Sequence, residues 1–144
     1  MKKSVAGSAF ALIVVLLIAA CGSKTESSPK VPAGKTIKTV PVGNLNATLS
    51  NGTGQLKQGN QEFMLTFTDS SGKPVDVGAV SLNFHMAQMG TMAAMNDQTT
   101  FTTTETPGVY RGRATIEMAG EWQAQLAYEG PAGSGKTTFT VTAQ

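Results

Sequence analysis

The chain has 144 residues, of which 14% are charged, and a formal net charge of +2. Its basic residues form no patch with interleaved aromatic residues, so the composition excludes an ordinary nucleic-acid-binding protein. An apolar N-terminal segment and a polar stretch come first, and about 100 residues remain after them, which is enough for one compact domain.

The N-terminus has the pattern of an export signal. Two lysines precede a run of twelve apolar residues, 9–20, and this run is too short to span a bilayer as a helix, which takes about 20 apolar residues. Cys21 follows directly and, as the only cysteine, has no partner for a disulfide. Residues 18–21, Ile-Ala-Ala-Cys, resemble the lipobox of bacterial lipoproteins, in which the cysteine is acylated. The pattern predicts a lipoprotein signal peptide over residues 1–20, and the alternative is a secretory signal with an incidental cysteine.

Acylation at Cys21 would anchor the protein to a membrane, facing the periplasm or the extracellular space, because several acyl chains hold a protein stably. Residues 21–45 are rich in Ser, Pro, Gly and Lys and cannot bury enough apolar surface to offset their ordering entropy. We therefore expect a flexible tether over residues 21–45 and a single folded domain over residues 46–144.

The rest of the chain alternates apolar and polar residues in short runs, which is the period-two pattern of strands buried on one face. Turn sequences with Gly, Pro and Ser separate the runs, and no segment has the periodicity of a helix. The predicted strands are centred on Asn46–Ser50, Phe63–Phe67, Val80–Phe84, Thr99–Thr103, Tyr110–Ile116, Trp122–Leu126 and Phe139–Val141. This pattern predicts an all-β fold, a single antiparallel β-sandwich of immunoglobulin-like type with about seven strands.

Four of the seven methionines recur at every third position, and the only histidine, His85, directly precedes the first of them. The four are Met86, Met89, Met92 and Met95. Thioether sulfur is a soft, uncharged donor that prefers Cu(I), and imidazole suits copper as well. The cluster therefore predicts a copper site. Thioethers carry no proton, whereas a protonated imidazole cannot ligate, so donation by His85 should fade in mild acid.

Topology adds Met118 to the cluster. If successive strands run antiparallel, the strand that ends near Met86 and the strand that ends near Met118 finish at the same pole of the sandwich. Trp122, at the beginning of the next strand, is expected there too. It would be the core tryptophan of the sandwich or, alternatively, would cover a bound Cu(I) through a cation–π contact.

Methionines of this kind have three other roles. Met fills irregular gaps in cores and recurs at promiscuous interfaces, and exposed Met consumes oxidants. Core packing is an alternative for Met86, which shares the strand parity of Phe84. It is less natural for the other three members of the run, because a loop with Gly90 and several alanines has little else to pack.

Four motifs recur in the order typical of a known family. They are Phe67–Val75, the Met-rich stretch, Pro107–Tyr110 and Met118–Trp122. Together, over roughly residues 61–128, they resemble the YtkA-like/FixH-like domain family. The resemblance implies an extracytoplasmic β-sandwich associated with copper handling. One position departs from the family pattern, since Ala87 stands where members usually have Pro, and this implies a less rigid loop.

Residues 130–137 match the phosphate-binding pattern G-x-x-x-x-G-K-[ST], but that chemistry needs a helix directly afterwards. The residues that follow are β-prone, so the segment is predicted to be a glycine-rich hairpin turn, and no nucleotide is expected. The single His lies in the Met run and the single Cys at the predicted anchor. A nucleophile–His–carboxylate set is therefore absent, and we expect no enzyme activity.

These patterns favour a membrane-anchored copper-binding lipoprotein that holds Cu(I) as a chaperone or scavenger, with copper-efflux or oxidase-assembly proteins as its expected partners. The predicted metal donors are His85, Met86, Met89, Met92, Met95 and Met118. The competing hypothesis is a structural or interaction domain whose Met patch docks a membrane-complex partner and binds no metal.

Overall fold

The computed structural model describes residues 34–144. The predicted signal peptide, the predicted acylation site Cys21 and the tether as far as residue 33 lie outside the described residues. Within residues 34–144, no helix has the length and apolar character that crossing a bilayer requires.

Strands dominate the described part of the chain. They are β1 Lys35–Val42, β2 Leu45–Asn51, β3 Gly59–Thr68, β4 Ala79–Met86, β5 Met95–Gln98, β6 Thr100–Thr103, β7 Val109–Ile116, β8 Gly120–Gly130 and β9 Gly133–Ala143. They form two sheets, with the strand orders β1-β2-β3-β7-β6 and β5-β4-β8-β9. Neighbouring strands in both sheets pair antiparallel. The predicted all-β antiparallel sandwich is confirmed.

The core lies between the two sheets, where the inward-facing side chains of both meet. Its largest fully buried members include Trp122, Phe63, Phe67 and Phe84. The ring of Phe63 contacts the rings of Phe84 and Phe101 edge to face, with centroids 6.0 and 6.4 Å apart. Such aromatic pairs contribute about 0.5–1.5 kcal/mol each beyond the area that they bury. The runs of period-two alternation therefore supply the core, as predicted.

The folded domain begins earlier than predicted. The sequence predicts a flexible tether as far as residue 45, but Lys35–Val42 form β1 and pair with β2. The Thr, Ile and Val residues of this segment favour a strand, and Pro41 is tolerated because β1 lies at the edge of its sheet. Lysine and proline make the segment resemble a spacer, yet both are residues that keep an edge strand from pairing with another chain.

The predicted strand over Thr99–Thr103 is in fact part of a longer run that serves both sheets. β5 pairs with β4 and β6 pairs with β7, so the chain crosses from one sheet to the other at Thr99. The backbone N–H of Thr99 donates to the Leu82 carbonyl at 2.9 Å. With β1 and β5 included, the described chain has nine strands instead of the seven predicted.

One end of the sandwich, which we call the Met pole, is defined by strand ends from both sheets. β4 ends there and β8 begins there, because His85 pairs with Gln123. β7 also ends there, since only residues 117–119 connect it to β8. β3 begins and β9 ends at this pole, where the N–H of Gln58 donates to the carbonyl of Gln144 at 2.9 Å.

The β8–β9 hairpin turns at the opposite pole. Gly130 pairs with Gly133 across Pro131 and Ala132, and residues 134–137 continue into β9. The segment that matches the phosphate-binding pattern is therefore a hairpin, as predicted. A strand stands where phosphate binding would need a helix N-terminus.

The turn after β3 is held by one carboxylate. The Oδ1 atom of Asp69 accepts hydrogen bonds from the Ser71 hydroxyl at 2.6 Å and from the backbone N–H groups of Ser71 and Lys73 at 2.9 and 3.1 Å. These bonds, above all that from the Ser71 hydroxyl, hold the pKa of Asp69 below its usual range. Beyond the turn, the N–H of Val75 donates to the Phe67 carbonyl at 2.9 Å. The segment after the turn therefore lies beside the end of β3.

Replacement of Gly108 by Ala should destabilise the domain strongly. Gly108 has a φ of 82°, and a Cβ there would lie 2.5 Å from the Val75 carbonyl oxygen. The clash with backbone adds to the strain of about 1–2 kcal/mol that an L-residue incurs in the left-handed region, so we expect a total loss of about 3 kcal/mol or more in urea unfolding. Gly72, with a φ of 83° and nothing within 4 Å of the new Cβ, is the matched control. Equal losses for Gly108→Ala and Gly72→Ala would contradict the close approach to Val75.

Candidate metal-binding site at the Met pole

The four methionines of the run lie in a β-hairpin, and their spacing is symmetric about its turn. β4 and β5 pair Met86 with Met95, and beyond them Met89 and Met92 form a further antiparallel bridge. Four methionines at every third position are therefore two cross-strand pairs. The predicted loop after β4 is a strand hairpin, and this folds the second half of the run back onto the first.

The turn of this hairpin is a two-residue loop, Gly90-Thr91. The N–H of Met89 donates to the Met92 carbonyl at 3.2 Å, and the N–H of Met92 donates to the Met89 carbonyl at 2.9 Å. Gly90 has a φ of 56°, the left-handed conformation that tight hairpin loops need at their first position. A glycine at the centre of the run therefore sets the pairing of the methionines on both sides.

The register of the hairpin assigns the two Met pairs to opposite faces. Both pairs follow the same register, because the segments that separate them on the two strands have equal length. Side chains along a strand alternate between faces, so residues three positions apart lie on opposite sides. Met86 and Met95 belong to the face that covers the core, and Met89 and Met92 belong to the outer face.

The inner methionines close the core at the Met pole. Met86 is only 3% exposed, while Met95 and Met118 are half-buried and pack against the core. The Cε atom of Met86 lies 3.2 Å from the point where a Cβ on Gly120 would be. The indole N–H of the buried Trp122 donates to the Met118 carbonyl at 3.0 Å. The predicted meeting of the chain near Met86 with Met118 and Trp122 is confirmed, and Trp122 is a core residue.

The outer pair faces solvent. Met89 is 53% exposed and Met92 is 43% exposed, and among residues 34–144 they are the large hydrophobic side chains that stand out as exposed. Cα atoms of a hydrogen-bonded antiparallel pair are about 5.5 Å apart, so the two side chains start side by side and their thioethers can reach the same ion. No Asp, Glu, Lys or Arg occurs from residue 85 to residue 96. The tip of the hairpin thus presents adjacent sulfur donors without a competing charge.

His85 lies on the outer face with one ring nitrogen already engaged. Its Nδ1 atom is 2.8 Å from Oδ1 of Asn96, its cross-strand partner. An amide oxygen only accepts, so Nδ1 is the donor, and in the neutral imidazole Nε2 then keeps its lone pair. The amide nitrogen of Asn83 lies 3.5 Å from the same Asn96 oxygen, in agreement with this orientation. Hydrogen bonding of this kind fixes a histidine in the tautomer that a metal ion needs.

Asn96 is not among the site residues predicted from the sequence. Its position follows from the symmetric spacing of the methionines about the turn. A hairpin centred on Gly90-Thr91 puts residue 96 opposite His85. The signal was present in the regular spacing of the methionines on either side of a glycine. The predicted loop would leave residue 96 without a cross-strand partner.

The six predicted donors are not gathered around one point. Met86, Met95 and Met118 lie on the inner side, whereas His85, Met89 and Met92 lie on the outer side. His85 precedes Met89 by four residues, or about 13 Å along a strand. Residues 87–88 and 93–94 belong to no strand or bridge. A bend of the backbone at these residues would bring His85 and the outer pair to the same ion.

Residues 85–96 offer thioethers and one imidazole as metal donors. The carboxylates of Asp97, Glu117 and Glu121 lie outside this stretch, and the backbone N–H of Glu117 donates to Asp97 at 3.3 Å. Within residues 34–144, no three His, Cys, Asp or Glu side chains group closely enough to hold a metal ion. The outer methionines are accessible and uncharged, and the free Nε2 atom of His85 lies on the same face. This set of donors suits a soft monovalent ion such as Cu(I).

A sequence profile of the YtkA-like family matches residues 39–127. The chain belongs to the YtkA-like family. The match begins inside β1 and runs to β8, so it includes the whole Met hairpin and the turn that contains Met118. Comparison with curated proteins and with solved structures gives no match.

Oxidation should distinguish the two faces of the hairpin in this YtkA-like domain. On treatment with dilute hydrogen peroxide, Met89 and Met92 should form sulfoxides at least about tenfold faster than Met86, because oxidation follows exposure. Peptide mass spectrometry over a time course measures this order. Met64, half-buried on the outer face of the other sheet, is an internal reference. Equal rates for Met86 and Met89 would contradict the separation into buried and exposed pairs.

Proposed function

We propose that this YtkA-like protein binds Cu(I) at the Met pole, outside the cytoplasm, while anchored to a membrane through Cys21. The observation that carries the proposal is the exposure of the paired Met89 and Met92 side chains. An exposed apolar pair gains nothing from packing, so core filling accounts for Met86 but not for the outer pair.

The outer pair is the primary donor set in this proposal. Two neighbouring thioethers can coordinate a soft monovalent ion through sulfur, and neither has to lose a proton first. The Nε2 atom of His85 is the candidate third donor, since Nδ1 is engaged by Asn96. Met95 and Met118 are half-buried and provide further thioethers from the inner side, whereas Met86 is enclosed by the core.

The location is part of the proposal. A short apolar run followed directly by the only cysteine supports export and acylation. Copper held in an accessible site beside a membrane would serve a chaperone or a scavenger, with copper-efflux or oxidase-assembly proteins as partners. Delivery, storage and removal of copper all need this kind of site.

Removal of the outer sulfurs should weaken copper binding. Met89→Leu/Met92→Leu keeps side-chain volume and apolarity but removes both donors. In titrations of Cu(I) against a chromophoric chelator, we expect this variant to bind at least about tenfold more weakly than the wild type, a change of about 1.4 kcal/mol. Met64→Leu, which removes a half-buried methionine from the other sheet, should leave the affinity unchanged.

The same titration separates the copper proposal from its competitor. If the wild-type protein fails to compete with the chelator, the Met patch is a docking surface and not a metal site. If Met95→Leu/Met118→Leu loses the affinity and the outer variant keeps it, the inner methionines are the donors, and the assignment to Met89 and Met92 is wrong.

Acidification should test the role of His85. A neutral imidazole ligates and a protonated one does not, so Cu(I) affinity of the wild type should fall between neutral pH and mild acid. Thioethers do not titrate, and the affinity of His85→Gln should therefore be lower at neutral pH and flat across this range. The measurement is the chelator competition repeated at each pH. A His85→Gln variant that keeps the wild-type pH dependence would exclude His85 as a donor.

A further inference from the structure

The first strand shows from which side the chain enters the domain. β3 begins at the Met pole, and β2 and β1 each run antiparallel to their neighbour, so β1 runs away from that pole. A Cβ on Gly54 would lie 2.9 Å from the Cβ of Lys35, and Leu56, just beyond, bridges to Ala143 at the end of β9. The residues that precede Lys35 therefore join the domain on the side of the Met pole.

The length of chain before β1 limits the distance from Cys21 to the domain. Residues 22–33 separate Cys21 from Gly34 and span at most about 45 Å when fully extended. β1 has eight residues and covers about 26 Å in the direction away from the Met pole. The path along the chain from an anchor at Cys21 therefore reaches the Met pole first. The opposite pole lies farther along it by about the length of β1.

The hairpin tip, residues 87–94, projects from this pole. His85 pairs with Gln123, and three further steps in the same register bring Gln88 level with Gly120, the first residue of β8. Met89, Met92 and the turn between them lie beyond that level. The remaining tip residues include three exposed alanines, Ala87, Ala93 and Ala94, and the whole tip is uncharged.

We propose that the Met pole faces the membrane that carries the anchor, and that the hairpin tip lies against the lipid bilayer. This inference rests on the proposed acylation of Cys21 and is independent of copper binding. An uncharged tip with exposed thioether side chains can enter the interfacial region of a bilayer, because no ion has to be desolvated. The short chain between Cys21 and Gly34 enters the domain beside this tip, which favours the bilayer over a protein acceptor as the surface that the tip contacts. The contact places the outer methionines at the membrane surface.

Site-specific fluorescence quenching tests the orientation. The full chain is produced with its signal, and Thr91→Cys in the turn is labelled with an environment-sensitive dye, since acylation occupies the thiol of Cys21. The acylated protein is reconstituted into vesicles of phosphatidylethanolamine and phosphatidylglycerol that contain a spin-labelled lipid. Ala132→Cys, in the β8–β9 turn at the opposite pole, is the matched control.

We expect at least about threefold stronger quenching at position 91 than at position 132, and loss of that difference when Met89 and Met92 are both replaced by Gln. Equal quenching at the two positions in a chain whose acylation is verified by mass spectrometry would overturn the orientation and leave the anchor intact. A chain found unacylated at Cys21 would overturn both. Copper affinity is measured separately, so its outcome is independent of this one.

Discussion

The Met pole depends on a pair of backbone hydrogen bonds in which Met89 and Met92 each donate to the carbonyl of the other, at 3.2 and 2.9 Å. This pair closes a two-residue loop and sets the register of both strands of the hairpin. A shift of β5 by one residue would move Met95 to the outer face and end its pairing with Met86. The chemistry on each face is therefore a consequence of main-chain geometry at Gly90-Thr91.

The same register explains why a regular spacing does not give a single cluster. On a helix, residues three apart lie on one side, whereas on a strand they lie on opposite sides. The run accordingly has one buried and one exposed half. Met86 and Met95 complete the core together with Met118 and Trp122, and the outer pair remains exposed. A flexible, polarizable side chain suits both uses, which is why one residue type serves them.

Much of the fold could be predicted from the sequence because its buried strands place an apolar residue at every second position. Phe63–Phe67 and Trp122–Leu126 are examples in which every second side chain is buried. β1 and β5 could not be predicted in this way, because both are edge strands with few buried side chains. Their strand conformation comes from pairing with a neighbour, and that information lies elsewhere in the chain.

The location of the candidate site at the end of β4 could be predicted from the sequence, but the assignment of its side chains to two faces could not. Antiparallel topology was sufficient to bring Met118 and Trp122 to the end of β4. The division between inner and outer methionines, and the contact between His85 and Asn96, required the hairpin register. The match to the YtkA-like family includes both the β-sandwich and the Met hairpin. The candidate metal donors, however, depend on which side chains the hairpin register exposes.

The position of Trp122 has a practical consequence. It is the only tryptophan in the chain, it is fully buried, and its indole N–H is bonded to the carbonyl of Met118 at the Met pole. Indole emission responds to the polarity and hydrogen bonding around the ring, so all intrinsic tryptophan fluorescence of this protein originates next to the inner methionines. The domain thus contains a native optical sensor for rearrangement at that end, and no extrinsic label is needed to follow it.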